Sequence, residues 1–274
     1  MVRIKTEEEI KILREGGKIL ARVLRAAAGE AKEGATTAEL EDTACRMIKA
    51  AGGRPAFKGV EMPDGKIFPT TLCIAINDEV VHGPALPARE LKYGDIVGID
   101  IGMEYPIKKR GRGVPVNKFS KLGGYYTDMA KTVIIGEVDA QTEKLVNTTK
   151  KSLELAIKQV LPGNTLNDIG RAVQEFVEAQ GFSIVRELVG HGVGHEYHEE
   201  PQVPNFIVTD GSIKNITLKP GMVIAIEPMV NMGGWKIKNG EDGFTIKTAD
   251  ESLSAHFEHT IAITGSGNEV ITRL

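Results

Sequence analysis

Three histidines fall within eight positions of the stretch Gly190-His191-Gly192-Val193-Gly194-His195-Glu196-Tyr197-His198-Glu199-Glu200-Pro201, in a chain that holds six. A lone histidine is ordinarily structural. Three in one glycine-broken stretch, followed by acid, form a ligand-like pattern. The glycines let the backbone pass close to something else. Two carboxylates end apolar runs: Asp100 after Ile96-Val97-Gly98-Ile99, and Glu227 after Val223-Ile224-Ala225-Ile226. A single such charge ordinarily marks a strand end that reaches water. Two more, Asp128 and Glu258, each stand just before a short strand-like run. Together Asp100, Asp128, His191, Glu227 and Glu258 offer four carboxylates and one imidazole, which suits a pair of divalent cations better than one structural zinc. Two such ions a few ångströms apart share a water and lower its pKa, which is hydrolytic chemistry.

The chain repeats itself, and the repeat says why these groups would meet. Gly34-Ala35-Thr36-Thr37-Ala38-Glu39-Leu40 resembles Gly163-Asn164-Thr165-Leu166-Asn167-Asp168-Ile169, 129 positions later. LKYGDIVGID at 91–100 resembles LKPGMVIAIE at 218–227, 127 positions later. Asp128 and Glu258 stand 130 apart. A near-constant offset predicts two halves of one shape, roughly 1–135 and 136–274, within a single domain spanning 1–274. It pairs Asp100 with Glu227, and Asp128 with Glu258. Four carboxylates converging about a pseudo-twofold axis would repel one another unless cations lie between them.

The elements that carry these residues are legible. Thr6-Glu7-Glu8-Glu9 is a capping box, and Ile10, Leu13, Gly17, Leu20 and Leu24 continue it as an amphipathic helix to about Ala28. A second box, Thr36 to Glu39, opens a helix that stops at Gly52-Gly53. Two further helices are predicted, over Thr142–Val160 and from a Thr165 cap to Ala179. Short β-branched runs lie at Leu72–Ile76, Asp95–Ile101, Thr132–Ile135, Met222–Ile226 and His259–Ile263. They cluster after each helix pair rather than alternating with helices, which predicts an α+β fold.

Composition narrows the classes. The formal net charge is −3 with 26% charged residues, which gives no reason to expect DNA binding. The two cysteines, Cys45 and Cys73, cannot build a disulfide framework and fit a reducing compartment. The charged N-terminus is unlike a secretory leader, and no apolar run approaches the ~20 residues needed to cross a bilayer. The expectation is a cytoplasmic monomer that does not engage a membrane.

These segments resemble the methionine aminopeptidases of type I, within the wider pita-bread, M24-like metallopeptidase family. The likeness covers nearly the whole chain. It is carried by IKTEEEIKILREGGKIL at the start, NDEVVHG at 77–83, GIDIG at 98–102 and YYTDMAKT at 125–132. It continues through GHGVGHEYHEEPQV at 190–203, IEPM at 226–229 and SLSAHFEHT at 252–260. The resemblance implies a curved antiparallel sheet with paired helices packed outside it, and an enzyme that removes the N-terminal methionine of nascent chains when the second residue is small.

It further implies that Asp100 chelates one metal, that His191 and Glu227 bind the other, and that Asp128 and Glu258 bridge both. Glu227 would relay a proton, His198 would stabilise the oxyanion, and His82 would position the scissile amide. The methionine side chain would lie against Phe68, Cys73, Tyr197 and Phe244, with Trp235 as an alternative to Phe244; Cys73 equally suits a plain core position. His195 receives no role and is read as a surface residue. The ions would be cobalt, manganese, iron or zinc, since affinity order alone does not select among them.

The sequence departs from the pattern in one place. Asp100 and Asp128 stand 28 positions apart, where relatives join the two aspartates by a tight hairpin. The extra stretch, Glu104–Gly124, carries Lys108-Lys109-Arg110-Gly111-Arg112. A basic cluster suits contact with ribosomal RNA, though a solvated hairpin is the ordinary reading. A second extra stretch, Asn231–Asp242, occupies the corresponding part of the other half, so the two are expected to lie near each other. Proline-specific relatives carry a further N-terminal domain, and type II enzymes a helical insertion; neither is expected here. A non-catalytic binding protein on the same fold would tend to have lost ligands, and all five remain.

Overall fold

A computed structural model of the chain describes residues 1–62, 64–107 and 115–273. Among the described residues four long helices flank antiparallel sheet. Helix α1 spans Glu7–Glu30 and α2 spans Thr37–Ala50, each opened by its capping box, with Glu9 and Glu39 accepting back from the Thr6 and Thr36 backbone. Helix α3 spans Ala140–Lys158, so it starts earlier than its periodicity suggests. The reason is Asp139, whose carboxylate accepts the N–H groups of Gln141 (2.8 Å) and Thr142 (3.0 Å) and so caps the helix. Helix α4 spans Leu166–Ala179 behind Thr165, as expected.

Each helix pair covers its own sheet. In the first half, Leu20, Leu24, Leu40 and Ile48 pack on Leu72, Ile74, Val97, Ile99 and Ile101. In the second half, Leu145, Leu153, Ile169, Val173 and Val177 pack on Ile224, Ile226, Ile261 and Ile263. These side chains are all but fully buried, and each contributes ~1.5–3 kcal/mol relative to exposure. The first sheet is built on Ile96–Tyr105, which pairs with Leu72–Ile76 and with Tyr125–Ile134. The second runs in the order Asn268–Val270, His259–Ile263, Val223–Ile226, Gly190–Gly192, Glu199–Val203. All pairings are antiparallel.

The two sheets meet along one seam. Thr260 Oγ1 donates to the Asp128 carbonyl (2.8 Å) and accepts from the Asp128 N–H (2.9 Å). Ala130 and Glu258 exchange backbone hydrogen bonds of 3.0 and 3.4 Å. Thr132 Oγ1 donates to the His256 carbonyl and accepts from the His256 N–H, both at 2.9 Å. The seam has local twofold symmetry, because Thr132 and Thr260 grip the opposite strand in the same way. Its offset is 128, which lies within the range seen in the sequence but changes one pairing. The position equivalent to Asp128 is His256 rather than Glu258, and Glu258 corresponds to Ala130.

Two strand expectations also change. Asp100 and Asp128 lie inside long strands, Ile96–Tyr105 and Tyr125–Ile134, rather than at strand edges. Glu104 and Tyr105 are therefore part of the ladder, and the inserted stretch begins after them. Its basic cluster, Lys108–Arg112, lies outside the described residues. Among the described residues the two inserted stretches have different neighbours. Asn117 of the first donates to the His195 carbonyl (2.8 Å), and Phe119 lies under Arg3. The second contributes Ile237–Asn239, paired with Ile246–Thr248, which in turn pairs with Glu79–Val81. Among the described residues no helix is long and apolar enough to cross a membrane.

Candidate metal centre

The five side chains singled out in the sequence converge where the sheets join. The His191 imidazole Nε2 lies 3.5 Å from Glu227 Oε1 and 4.0 Å from Asp128 Oδ2. Ligand atoms of Asp100, Asp128 and Glu258 fall within 4.8 Å of one another, and so do those of His191, Glu227 and Glu258. A third group joins Asp128, His191 and His198. Asp128 and Glu258 thus each belong to two overlapping groups, while Asp100 and Glu227 each belong to one.

The backbone explains the convergence. Asp128 sits opposite Gly102 in the first ladder, and Asp100 lies opposite Ala130. Glu258 is fixed across the seam by Ala130. Glu227 follows the buried strand Val223–Ile226, with its carbonyl held by Asn205 Nδ2 at 3.1 Å. His191 lies on a strand that only glycine neighbours permit. A Cβ at position 190 would stand 2.4 Å from the Ala225 carbonyl oxygen, and one at position 192 would stand 2.3 Å from that of Glu200.

The donor set fits cations. Buried oxygens of Asp100, Asp128 and Glu258 have no hydrogen-bond partner, a costly condition unless something positive meets them. Four carboxylates carry a formal charge that two divalent ions would cancel. Burial, and then the neighbouring carboxylates, raise Asp100, Glu227 and Glu258 well above the ordinary carboxylate range. Burial pushes Asp128 up to about 7. Burial lowers His191 to about 4, so its ring is neutral. Its Nδ1 lies 2.9 Å from the Gly192 carbonyl, where it donates, and this leaves the Nε2 lone pair directed at the carboxylates.

Three other histidines surround this group. The His198 ring centroid lies 4.0 Å from that of His191, with an edge open to solvent. Burial, then the neighbouring His191 and His82, hold its pKa well down. His82 has a left-handed backbone, φ 62°, which costs free energy at a non-glycine residue and persists only where the surroundings enforce it. The next residue, Gly83, accepts from the Ile74 N–H at 2.6 Å and fixes that turn against the sheet. The third, His256, was not singled out from the sequence. Its Nε2 is buried without a partner, 3.8 Å from Glu227 Oε2. The only signal was its place two residues before Glu258, and a single histidine in a short strand is too common to stand out.

His195 is not a surface residue. It is 7% exposed, its Nε2 lies 2.9 Å from Glu9 Oε1, and its ring stacks near Phe119 and Tyr125. It ties the histidine-bearing stretch to α1. The same stretch is tied to the N-terminus by the buried ion pair of Lys5 with Glu199.

Of the four residues expected around a methionine side chain, Phe68 and Phe244 meet edge-on, with ring centroids 5.6 Å apart. Trp235 lies instead beneath the Arg186 guanidinium. Cys73 is buried opposite Asp100 in the ladder, and burial followed by the charges of Asp100, Asp128 and Glu258 raises its thiol pKa well above normal. It is a neutral thiol and not a nucleophile. Tyr197 lies on the His198 side, 4.8 Å between centroids, and packs towards Tyr126.

Comparison with known proteins agrees with this geometry. The model of metallopeptidase family M24 matches residues 11–265. A methionine aminopeptidase of Clostridium perfringens is 41% identical over 273 residues, covering 99% of both chains. The crystal structure of a Thermotoga maritima methionine aminopeptidase superposes with a TM-score of 0.87 at 40% identity, over 100% of each chain. A prolidase of Pyrococcus horikoshii shares the fold at TM-score 0.71 and 23% identity, and there the match spans 63% of the prolidase chain.

Proposed function

The chain belongs to metallopeptidase family M24 and has its pita-bread fold, and from that premise we propose that it is a metal-dependent aminopeptidase that hydrolyses the N-terminal methionine from nascent polypeptides whose second residue is small. One observation carries the reading: five side chains from five separate stretches place their ligand atoms in overlapping groups within 4.8 Å, with buried carboxylate oxygens otherwise unpartnered.

In this reading Asp100, Asp128, His191, Glu227 and Glu258 would together hold two divalent cations. When bound, the two cations would act as Lewis acids that activate a water and polarise the first peptide carbonyl. The Glu227 carboxylate accepts the water's proton as the C–O bond forms. His198 donates a ring N–H to the developing oxyanion, being uncharged and placed beside His191. His82 orients the scissile amide, and the proton passes to the leaving nitrogen as the C–N bond breaks. Phe68, Cys73, Tyr197 and Phe244 form the wall for the thioether, to which aromatic edges and a neutral thiol are suited.

The same reading covers the whole of 1–274 as one catalytic domain acting as a monomer in the cytoplasm, where its thiols stay reduced. A contact between Lys108–Arg112 and ribosomal RNA would fit an enzyme that meets emerging chains.

The test is release of methionine from Met-Ala-Ser by enzyme stripped with chelator and then reloaded with manganese or cobalt. Activity should vanish with the metal and return with it. Cleavage confined to Xaa-Pro peptides would sink this reading in favour of a prolidase-like one. Tight metal retention without any peptidase activity would favour a binding protein. His198→Ala should lower kcat by ~10²–10³ with little change in KM, because the donor acts on charge that exists only in the transition state. A steady-state comparison on the same peptide checks this, and a KM effect alone would remove His198 from the role.

A further inference from the structure

His256 has no place in the chemistry above, yet it is built into the centre. It occupies the position that the seam makes equivalent to Asp128. Both of its backbone groups are held by the single hydroxyl of Thr132, at 2.9 Å each. It lies opposite Met229 in a further antiparallel pairing, so its Cα is fixed from two sides. Its side chain is 4% exposed, and Nε2 has no hydrogen-bond partner.

Beside that nitrogen lies the Glu227 carboxylate, and His82 is a further titratable neighbour. The Glu227 carboxylate is spanned by two imidazoles, with Oε1 facing His191 at 3.5 Å and Oε2 facing His256 at 3.8 Å. His256 is in none of the groups whose ligand atoms fall within 4.8 Å. It therefore stands behind Glu227 rather than among the groups that face the cations.

We propose that His256 is a positioning residue for Glu227: its Nε2–H holds Oε2, directly or through one water, and so aims Oε1 at the cation shared with His191. This rests on the reading of Glu227 as a metal ligand. The physical reason is orientation. A carboxylate on a flexible side chain loses rotational freedom when it binds an ion, and a donor on its far oxygen removes that freedom beforehand. The separation of 3.8 Å exceeds a direct hydrogen bond, so either a small carboxylate rotation or one bridging water completes the contact.

The test compares His256→Leu and His256→Gln with the parent enzyme. Manganese affinity is read by calorimetry on chelator-stripped protein, and the ligand field by the visible spectrum of the cobalt form. His256→Leu should weaken binding of the ion held with His191 ~10–100-fold and alter the cobalt spectrum. His256→Gln, whose amide keeps a donor, should restore affinity to within about threefold. Wild-type affinity in His256→Leu overturns the proposal. Equal weakening in both variants also overturns it, since ring shape and not a donor would then matter. If His256→Leu gives no cooperative melt, His256→Asn carries the test. Its amide is too short to reach Glu227, so it should bind weakly, and full affinity overturns the proposal. Glu227→Ala separates the two levels. It should lose one ion entirely, and if it kept both, the metal-centre reading would fail whatever His256 did.

Discussion

Replacement of Glu258 by alanine is expected to reduce methionine release by more than ~10⁴-fold, equivalent to ~5.5 kcal/mol of transition-state stabilisation. Glu258 belongs to both overlapping ligand groups, with Asp100 and Asp128 on one side and with His191 and Glu227 on the other. Its backbone is clasped by Ala130 across the seam. Losing it removes a shared donor from each ion. Metal analysis after dialysis should find fewer than two ions per chain. Glu258→Gln, which keeps the shape and loses the charge, should fall nearly as far. Near-normal turnover in either variant would show that Glu258 does not hold the cations.

Chelator-stripped protein should lose stability as pH rises through about 7 and regain it when divalent cation is added; below about 6.5 the buried histidines, whose pKa values are lowered, oppose this slope. The sign follows from linkage. The centre's carboxyls titrate higher folded than unfolded; burial moves Asp128 from 3.8 to about 7. Between those values these carboxyls bind more protons folded than unfolded, while His191, His256 and His259, lowered to about 4, 3 and 4, bind fewer below about 6.5, so the carboxyls set the slope above that pH and unfolding there becomes easier as pH rises. The stabilising neutral form is fully present below the unfolded pKa and is lost through the folded pKa. Asp100, Glu227 and Glu258 shift in the same direction as Asp128.

Cation binding reverses the slope, because ionised carboxylates are then the favoured form and protons are released on uptake. Urea melts at several pH values, with and without manganese, measure both limbs. A stripped protein whose stability rises through pH 7 would contradict the burial of these carboxyls. Glu258→Ala should also stabilise the stripped protein near neutral pH, since it deletes a carboxyl whose ionisation burial and its carboxylate neighbours oppose. The substitution that abolishes activity should thus raise the melting point.

The legibility of this protein was uneven, for physical reasons. Capping boxes and helical periodicity are local, so α1, α2 and α4 could be read closely from the residues themselves. Helix α3 began earlier because Asp139 satisfies its first N–H groups, a capping choice that apolar spacing does not reveal. The expectation that Asp100 ends a strand and that Asp128 stands just before one failed because burial here does not terminate at a charge. The ladder runs straight through both residues, since the centre they face lies in the interior. His195, read as exposed, is buried because Glu9 reaches it from 186 positions away in sequence. His256 carried no signal at all, since its meaning depends on Glu227 lying beside it.

By itself the sequence determined which groups are available: the carboxylates, the histidine-rich stretch, the glycines that permit it and the repeat that brings two halves together. Side-chain chemistry and local periodicity are properties of neighbouring residues. The tertiary structure alone decided which of six histidines face the carboxylates, that the seam equates Asp128 with His256, and that Phe244 rather than Trp235 meets Phe68. Those outcomes depend on contacts between stretches more than a hundred positions apart, and packing against the opposite strand, not the identity of the adjacent residue, sets where such side chains point.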